Sequence, residues 1–125
     1  MKTHFILYVA DQARSTRFYS AVLLRAAALD VPGMTEFELS DGVILGLMPE
    51  SGIRALLERL PDPAAARGKP RAELYLLVES PEAYHERALR AGAVEMNPLL
   101  PRDWGHIASY CLDPDGHVLA FAREG

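Results

Sequence analysis

The stretch FILYVADQARSTRFYS, residues 5–20, decides the fold, because LYLLVESPEAYHERALRAG, residues 74–92, repeats its plan. Each opens on a short apolar and aromatic run, the composition of a strand. Each then crosses a polar break into a segment with helical spacing. In the first, Asp11 stands at an N-cap position before a helix over residues 12–24. There Phe18 and Val22, like Tyr19 and Leu23, lie four apart and form an apolar stripe. In the second, Ser80 is the N-cap, Pro81 falls in the first turn and Gly92 follows the last. Glu86 and Arg90 stand in the favourable order for an i, i+4 pair.

Outward from these units, residues 26–31 either prolong the first helix or open a strand, until Pro32-Gly33 ends them. Residues 34–40 alternate, with Thr35, Phe37 and Leu39 on one face and Glu36 and Glu38 on a solvated one. The turn Asp41-Gly42 leads into VILGLM, which Pro49 stops. A short helix is expected over residues 53–60 and a linker over 61–71. The second unit continues with strands near residues 72–78, 93–98, 107–112 and 117–122, the last following the turn Asp113-Pro114-Asp115-Gly116. Strand, helix and three strands thus occur twice. The expected fold is α+β: one domain of residues 1–125, built from two tandem βαβββ modules (residues 1–60 and 72–125) whose cupped mixed sheets surround a cavity. With a helix on one face of each sheet, alternation assigns the other face. It carries His4, Ile6 and Tyr8 with Ile44, Gly46 and Met48, then Glu73, Tyr75 and Leu77 with Val118, Ala120 and Ala122. An apolar lining with a few convergent polar groups is the chemistry of a small-molecule site.

Composition bounds the rest. Half of the 125 residues are hydrophobic and 24% are charged, a soluble globular profile. The net charge of −4 is spread evenly, without a basic stripe, which argues against a nucleic-acid partner. No stretch approaches membrane-spanning length, and the N-terminal apolar run is too short for a signal core. The single cysteine, Cys111, has no internal disulfide partner, so a reducing cytoplasm is expected. Cys-pair zinc motifs, a nucleophile elbow and a phosphate-binding glycine loop are absent.

Two groups of residues carry a resemblance along essentially the whole chain. The front group is His4, Tyr8-Val9-Ala10-Asp11, Ser15, Phe18-Tyr19 and Val22-Leu23; the back group is Trp104-Gly105 and Asp113-Pro114-Asp115-Gly116-His117. In this order, with the internal repeat, they resemble the vicinal-oxygen-chelate superfamily, the glyoxalase, bleomycin-resistance and extradiol-dioxygenase group. The nearest likeness is to a metal-free, bleomycin-resistance-like member. The resemblance implies the fold above but no particular reaction, since that fold hosts many. In metal-dependent members, ligands come from the first, fourth, fifth and eighth strands, positions matched here by His4, Gly46, Glu73 and Ala120. Glycine and alanine offer no donor, and a catalytic divalent site takes about three protein ligands. Glu50 lies four residues beyond Gly46, but Pro49 interrupts the strand between them. The expectation is no metal and no other cofactor.

The expected ligand-binding residues are His4, Tyr8, Met48, Glu73, Tyr75 and Trp104. His4 is either a general base or a hydrogen-bonded strand-end histidine. Glu73 either meets a cationic group, acts as a base, or is solvated at the mouth of the cup. Tyr8 and Tyr75 either stack on a planar ligand or fill core. Trp104 is read as a lid or platform, which the resemblance supports. His106 and His117 are expected at exposed strand starts, His85 on a helix surface, and Cys111 as a buried inert thiol. The leading expectation is a homodimeric binding protein for a small, partly aromatic or cationic organic molecule. The alternatives are a glyoxalase-type lyase or isomerase using His4 or Glu73 as base, metal-assisted or not, and a structural domain whose cavity has collapsed.

Overall fold

The apolar and aromatic run of β1 (Thr3–Val9) ends on Val9, which is completely buried, and the polar break behind it starts α1 (Gln12–Leu23). A computed structural model describes residues 1–125, which form two compact units. Unit one holds residues 1–20 and 24–67; unit two holds residues 68–125 together with residues 21–23.

In unit one the Asp11 side chain accepts a hydrogen bond from Arg14 N at 3.0 Å, satisfying a donor at the start of α1. The helix ends where Leu24 turns left-handed at φ 52° and donates its N–H to Ser20 O. The strands β2 (Leu29–Val31), β3 (Met34–Ser40) and β4 (Val43–Pro49) follow. Sheet order is β1-β4-β3-β2, with β1 parallel to β4 and the other pairs antiparallel. Residues 26–31 therefore yield a three-residue strand rather than more helix. Gln12 Nε2 donates to Thr35 Oγ1 at 2.9 Å, and the Thr16 and Thr35 hydroxyls are 2.9 Å apart. These bonds place α1 on the face of β3 that carries Thr35 and Phe37. Phe37, Leu45 and Leu47 are fully buried, each contributing about 1.5–3 kcal/mol by leaving water.

The helix expected over residues 53–60 forms earlier, as α2 (Glu50–Leu56). Pro49 closes β4 and sets the backbone at the helix start, so the turn begins at once. Within the expected linker, Pro63–Ala66 make a single 3-10 turn. Asp62 caps it by accepting from Ala64 N at 2.9 Å and pairs with Arg54 at 2.7 Å. The Ala64 bond first, then Arg54, holds its carboxyl below the usual range.

Unit two contains β5 (Glu73–Leu77), α3 (Pro81–Arg90), β6 (Val94–Pro101), β7 (His106–Leu112) and β8 (Val118–Glu124). Its sheet repeats the first in order, β5-β8-β7-β6, with β5 parallel to β8. Two four-stranded mixed sheets with their helices make the α+β, twice-repeated βαβββ arrangement. Helix α3 lies on β6, β7 and β8, and its Tyr84 and His85 rings approach Phe121 at 5.7 and 6.4 Å. Ser80 makes no side-chain cap bond, whereas Pro81 takes the first turn as expected.

Two histidines correct the sequence reading. His85 is buried rather than on the helix surface, because Pro81, His85 and Ala88 share one face at helical spacing. Its Nε2 lies 2.7 Å from Glu95 Oε2. His117 is buried rather than an exposed strand start: Asp113 Oδ1 accepts from Asp115 N and His117 N, both at 2.9 Å, and folds the turn inward. Gly116 in that turn has φ +88°, and a Cβ there would stand 2.9 Å from the Gly68 carbonyl carbon. Only glycine meets both demands.

Candidate functional site

The open face of the second sheet is fixed by its register. Phe121 faces α3, so by alternation Ala120 and Ala122 face away. Tyr75 pairs with Ala120, which pairs with Tyr110. On this face Tyr75 (β5) and His106 (β7) belong to strands separated by β8, whose residues there are small. Ala108, Ala120 and Ala122 are fully buried. This leaves Tyr75 room to reach across β8, and its hydroxyl lies 2.7 Å from His106 Nδ1. Trp104, in the loop before β7, donates its indole Nε1–H to the same hydroxyl at 3.0 Å. The indole is thus held by its nitrogen while 56% of the residue remains exposed.

Beside this chain lies a second polar group. Arg102 donates to Asn97 Oδ1 and Ala108 O at 2.7 Å, and to Pro98 O at 3.0 Å. Its guanidinium carbon stands 5.0 Å from the Tyr110 ring centre, a cation–π arrangement. Burial first, then the charge of Glu73 and neighbouring Tyr75, raises the Tyr110 hydroxyl above its ordinary value. Tyr110 therefore remains a protonated donor at neutral pH. Glu73, at the start of β5, is exposed.

The structure brings Tyr75 and Trp104 into one network. It also adds His106, Arg102 and Tyr110, which the sequence reading left out. His106 is half-buried rather than an exposed strand start, because it is the first residue of β7 and turns toward Tyr75. Alternation along His106, Ala108 and Tyr110 held that signal. Cys111, on the helix side, is fully buried, and burial foremost pushes its thiol up to about 12.

In unit one, the contacts of Thr35 with α1 place His4, Ile6, Tyr8, Gly46 and Met48 on the opposite, open face. Tyr8 pairs with Met48, both half-buried, whereas His4 pairs with Ile44 near the start of β1. His4 Nδ1 is 3.5 Å from Glu36 Oε2. Glu36, expected on a solvated face, instead shares the open face with His4, its side chain 25% exposed. Over Gly46, Ile6 Cγ1 and Met34 Sδ lean to 3.1 and 3.3 Å from where a Cβ would sit. Clefts of about 650 and 390 Å³ in this unit are lined by other residues, one between Asp11–Arg17 and Asp30–Pro32, the other around Glu50, Arg54 and Arg67.

The donor set at the matched ligand positions does not fit a divalent ion. Gly46 and Ala120 carry no donor, and no three His, Cys, Asp or Glu side chains converge anywhere in a way that could hold a metal. Glu50 cannot complete a set from β4, because it starts α2, is buried and binds Arg67. No helix is long and apolar enough to cross a membrane.

Residues 4–122 match the model of the glyoxalase-like domain. Among solved structures, a glyoxalase-related enzyme from Fulvimarina pelagi superposes with a TM-score of 0.83 at 20% identity, covering 99% of this chain and 88% of that one. A glyoxalase/bleomycin resistance protein/dioxygenase from Nocardioides gives 0.80 at 24% identity, covering 99% and 83%. A glyoxalase/bleomycin resistance protein/dioxygenase family enzyme from Burkholderia phytofirmans PsJN gives 0.81 at 15%, covering 98% and 97%. At these identities the likeness is one of fold. No curated protein matches the chain significantly. The duplicated βαβββ units and the match across nearly the whole sequence lead to one conclusion: the chain belongs to the glyoxalase-like domain family of the vicinal-oxygen-chelate superfamily.

Proposed function

We propose that this protein binds a small, partly aromatic or cationic organic molecule without a metal, acting by sequestration as a cytoplasmic homodimer. The observation that carries the reading is the Trp104–Tyr75–His106 network, whose Tyr75 is the cross-strand neighbour of Ala120, a position that offers no metal donor. A held, half-exposed indole provides a flat stacking surface, and such contacts contribute about 0.5–1.5 kcal/mol beyond area burial. Tyr75, Tyr110 and His106 supply oriented hydrogen-bonding groups, and exposed Glu73 gives a cationic substituent a partner. In unit one, taken by itself, the open face carries Tyr8 and Met48, an aromatic and a flexible thioether suited to varied shapes. Solved relatives whose names include bleomycin resistance support sequestration as the mode.

A second reading draws on one contact. With Glu36 beside His4, the imidazole has the carboxylate orientation used by a general base. A glyoxalase-type lyase or isomerase would employ His4, or Glu73, in that role. It would also need an electrophile to stabilise the enediolate, and no residue of the face serves as one. Binding is therefore the stronger reading.

A thermal-shift screen of aromatic and cationic small molecules, read alongside emission from the sole tryptophan, tests it. Ligands that raise the melting temperature and saturate a change in Trp104 emission are expected. A screen in which nothing stabilises the protein would instead favour a domain without a ligand.

A further inference from the structure

The proton positions in the Trp104–Tyr75–His106 chain follow from which groups can only donate. An indole N–H has no acceptor capacity, so Trp104 Nε1 must donate to the Tyr75 oxygen. Tyr75 has one proton left to place, and its only remaining neighbour within hydrogen-bond reach is His106 Nδ1 at 2.7 Å. Donation from Tyr75 to Nδ1 satisfies every group. The reverse donation, from Nδ1 to Tyr75, would leave the phenolic proton with no acceptor in the protein. Neutral His106 is therefore held as the Nε2–H tautomer. Nε2 makes no bond within the protein and is open to solvent.

We propose that this chain fixes His106 as an Nε2–H donor on the open face of the second sheet, and that the ligand is a planar molecule whose carbonyl or carboxylate oxygen accepts that hydrogen. The inference rests on the binding reading above and narrows its ligand class.

The test has two arms. In the first, ring nitrogen-15 NMR of the whole protein reads the His106 tautomer directly. The expected result is an Nε2–H form of the neutral ring that relaxes toward a mixture in Tyr75→Phe. A predominantly Nδ1–H ring in the wild type overturns the proposal, whatever the ligand data show. In the second, benzoate and benzylamine, matched in size, are titrated while Trp104 emission is followed. Benzoate is expected to bind about tenfold tighter than benzylamine and to lose most of that preference in Tyr75→Phe. Tighter benzylamine, or a benzoate preference unchanged in Tyr75→Phe, defeats this inference while leaving the binding reading intact. Binding by neither probe removes the binding reading and this one with it.

Discussion

Gly46 and Ala120 occupy the same register place in the two sheets, central in the strand parallel to the first strand of each unit. They have met different ends. Around Gly46 the partners are Ile6 and Glu36, and Ile6 Cγ1 and Met34 Sδ lie over the backbone. Around Ala120 the partners are Tyr75 and Tyr110, and the small floor lets Tyr75 bridge to His106. The duplication has preserved the scaffold while the two faces diverged, one toward flexible apolar cover and the other toward oriented aromatic and polar groups.

The largest expected contrast comes from filling these two places. Ala120→Glu would put a carboxylate at a fully buried position beneath Tyr75 and Tyr110. It should cost about 3 kcal/mol or more in urea unfolding. Gly46→Ala would set its Cβ 3.1 Å from Ile6 Cγ1 and 3.3 Å from Met34 Sδ, so these side chains must give by a few tenths of an ångström, and should change stability by under about 1 kcal/mol in either direction. Equal costs would show that the faces do not differ as described.

Next comes the loss of single contacts. Tyr75→Phe removes the hydroxyl that joins Trp104 and His106 and should destabilise by about 1–2 kcal/mol, with altered Trp104 emission. In unit one, Glu36→Gln breaks a half-exposed pair and should cost less than about 0.5 kcal/mol. A larger effect at Glu36 than at Tyr75 would reverse the ranking of the two faces.

The smallest contrast lies behind the sheets. Cys111 holds in unit two the register place that Phe37 holds in unit one, and both are fully buried. Burial raises the thiol from 9.0 to about 12. Between these values the folded chain holds a proton that the unfolded chain has released, so this stabilisation is complete below 9.0 and is lost as pH rises toward about 12. A thiol reagent at mildly alkaline pH should modify Cys111 only after denaturation. Rapid labelling of the native protein would show that the thiol is accessible.

Much of the fold was legible because its signals are local. The N-cap at Asp11, the turn at Asp41-Gly42 and the alternation of residues 34–40 each read as they fold. The short helix was misplaced by three residues at its start because Pro49, read as a stop, also serves as an entry. The site was less legible. Tyr75 and Trp104 were named from their strand and loop positions, but His106, Arg102 and Glu36 acquire meaning only from partners elsewhere in the sequence, at separations of 31, 6 and 32 residues. His85 and His117 were misjudged because a histidine's burial depends on the carboxylate or turn that receives it, here Glu95 and Asp113.

The central claim is that donor-free Gly46 and Ala120 leave this member of the family to bind its ligand without a metal. Elemental analysis of the purified protein, with melting temperatures measured during titration with nickel, zinc, manganese and ferrous ions, tests it most directly. The account predicts far less than one bound metal per chain and no saturable rise in melting temperature. A stoichiometric metal that stabilises the fold would contradict it and make catalysis the better reading.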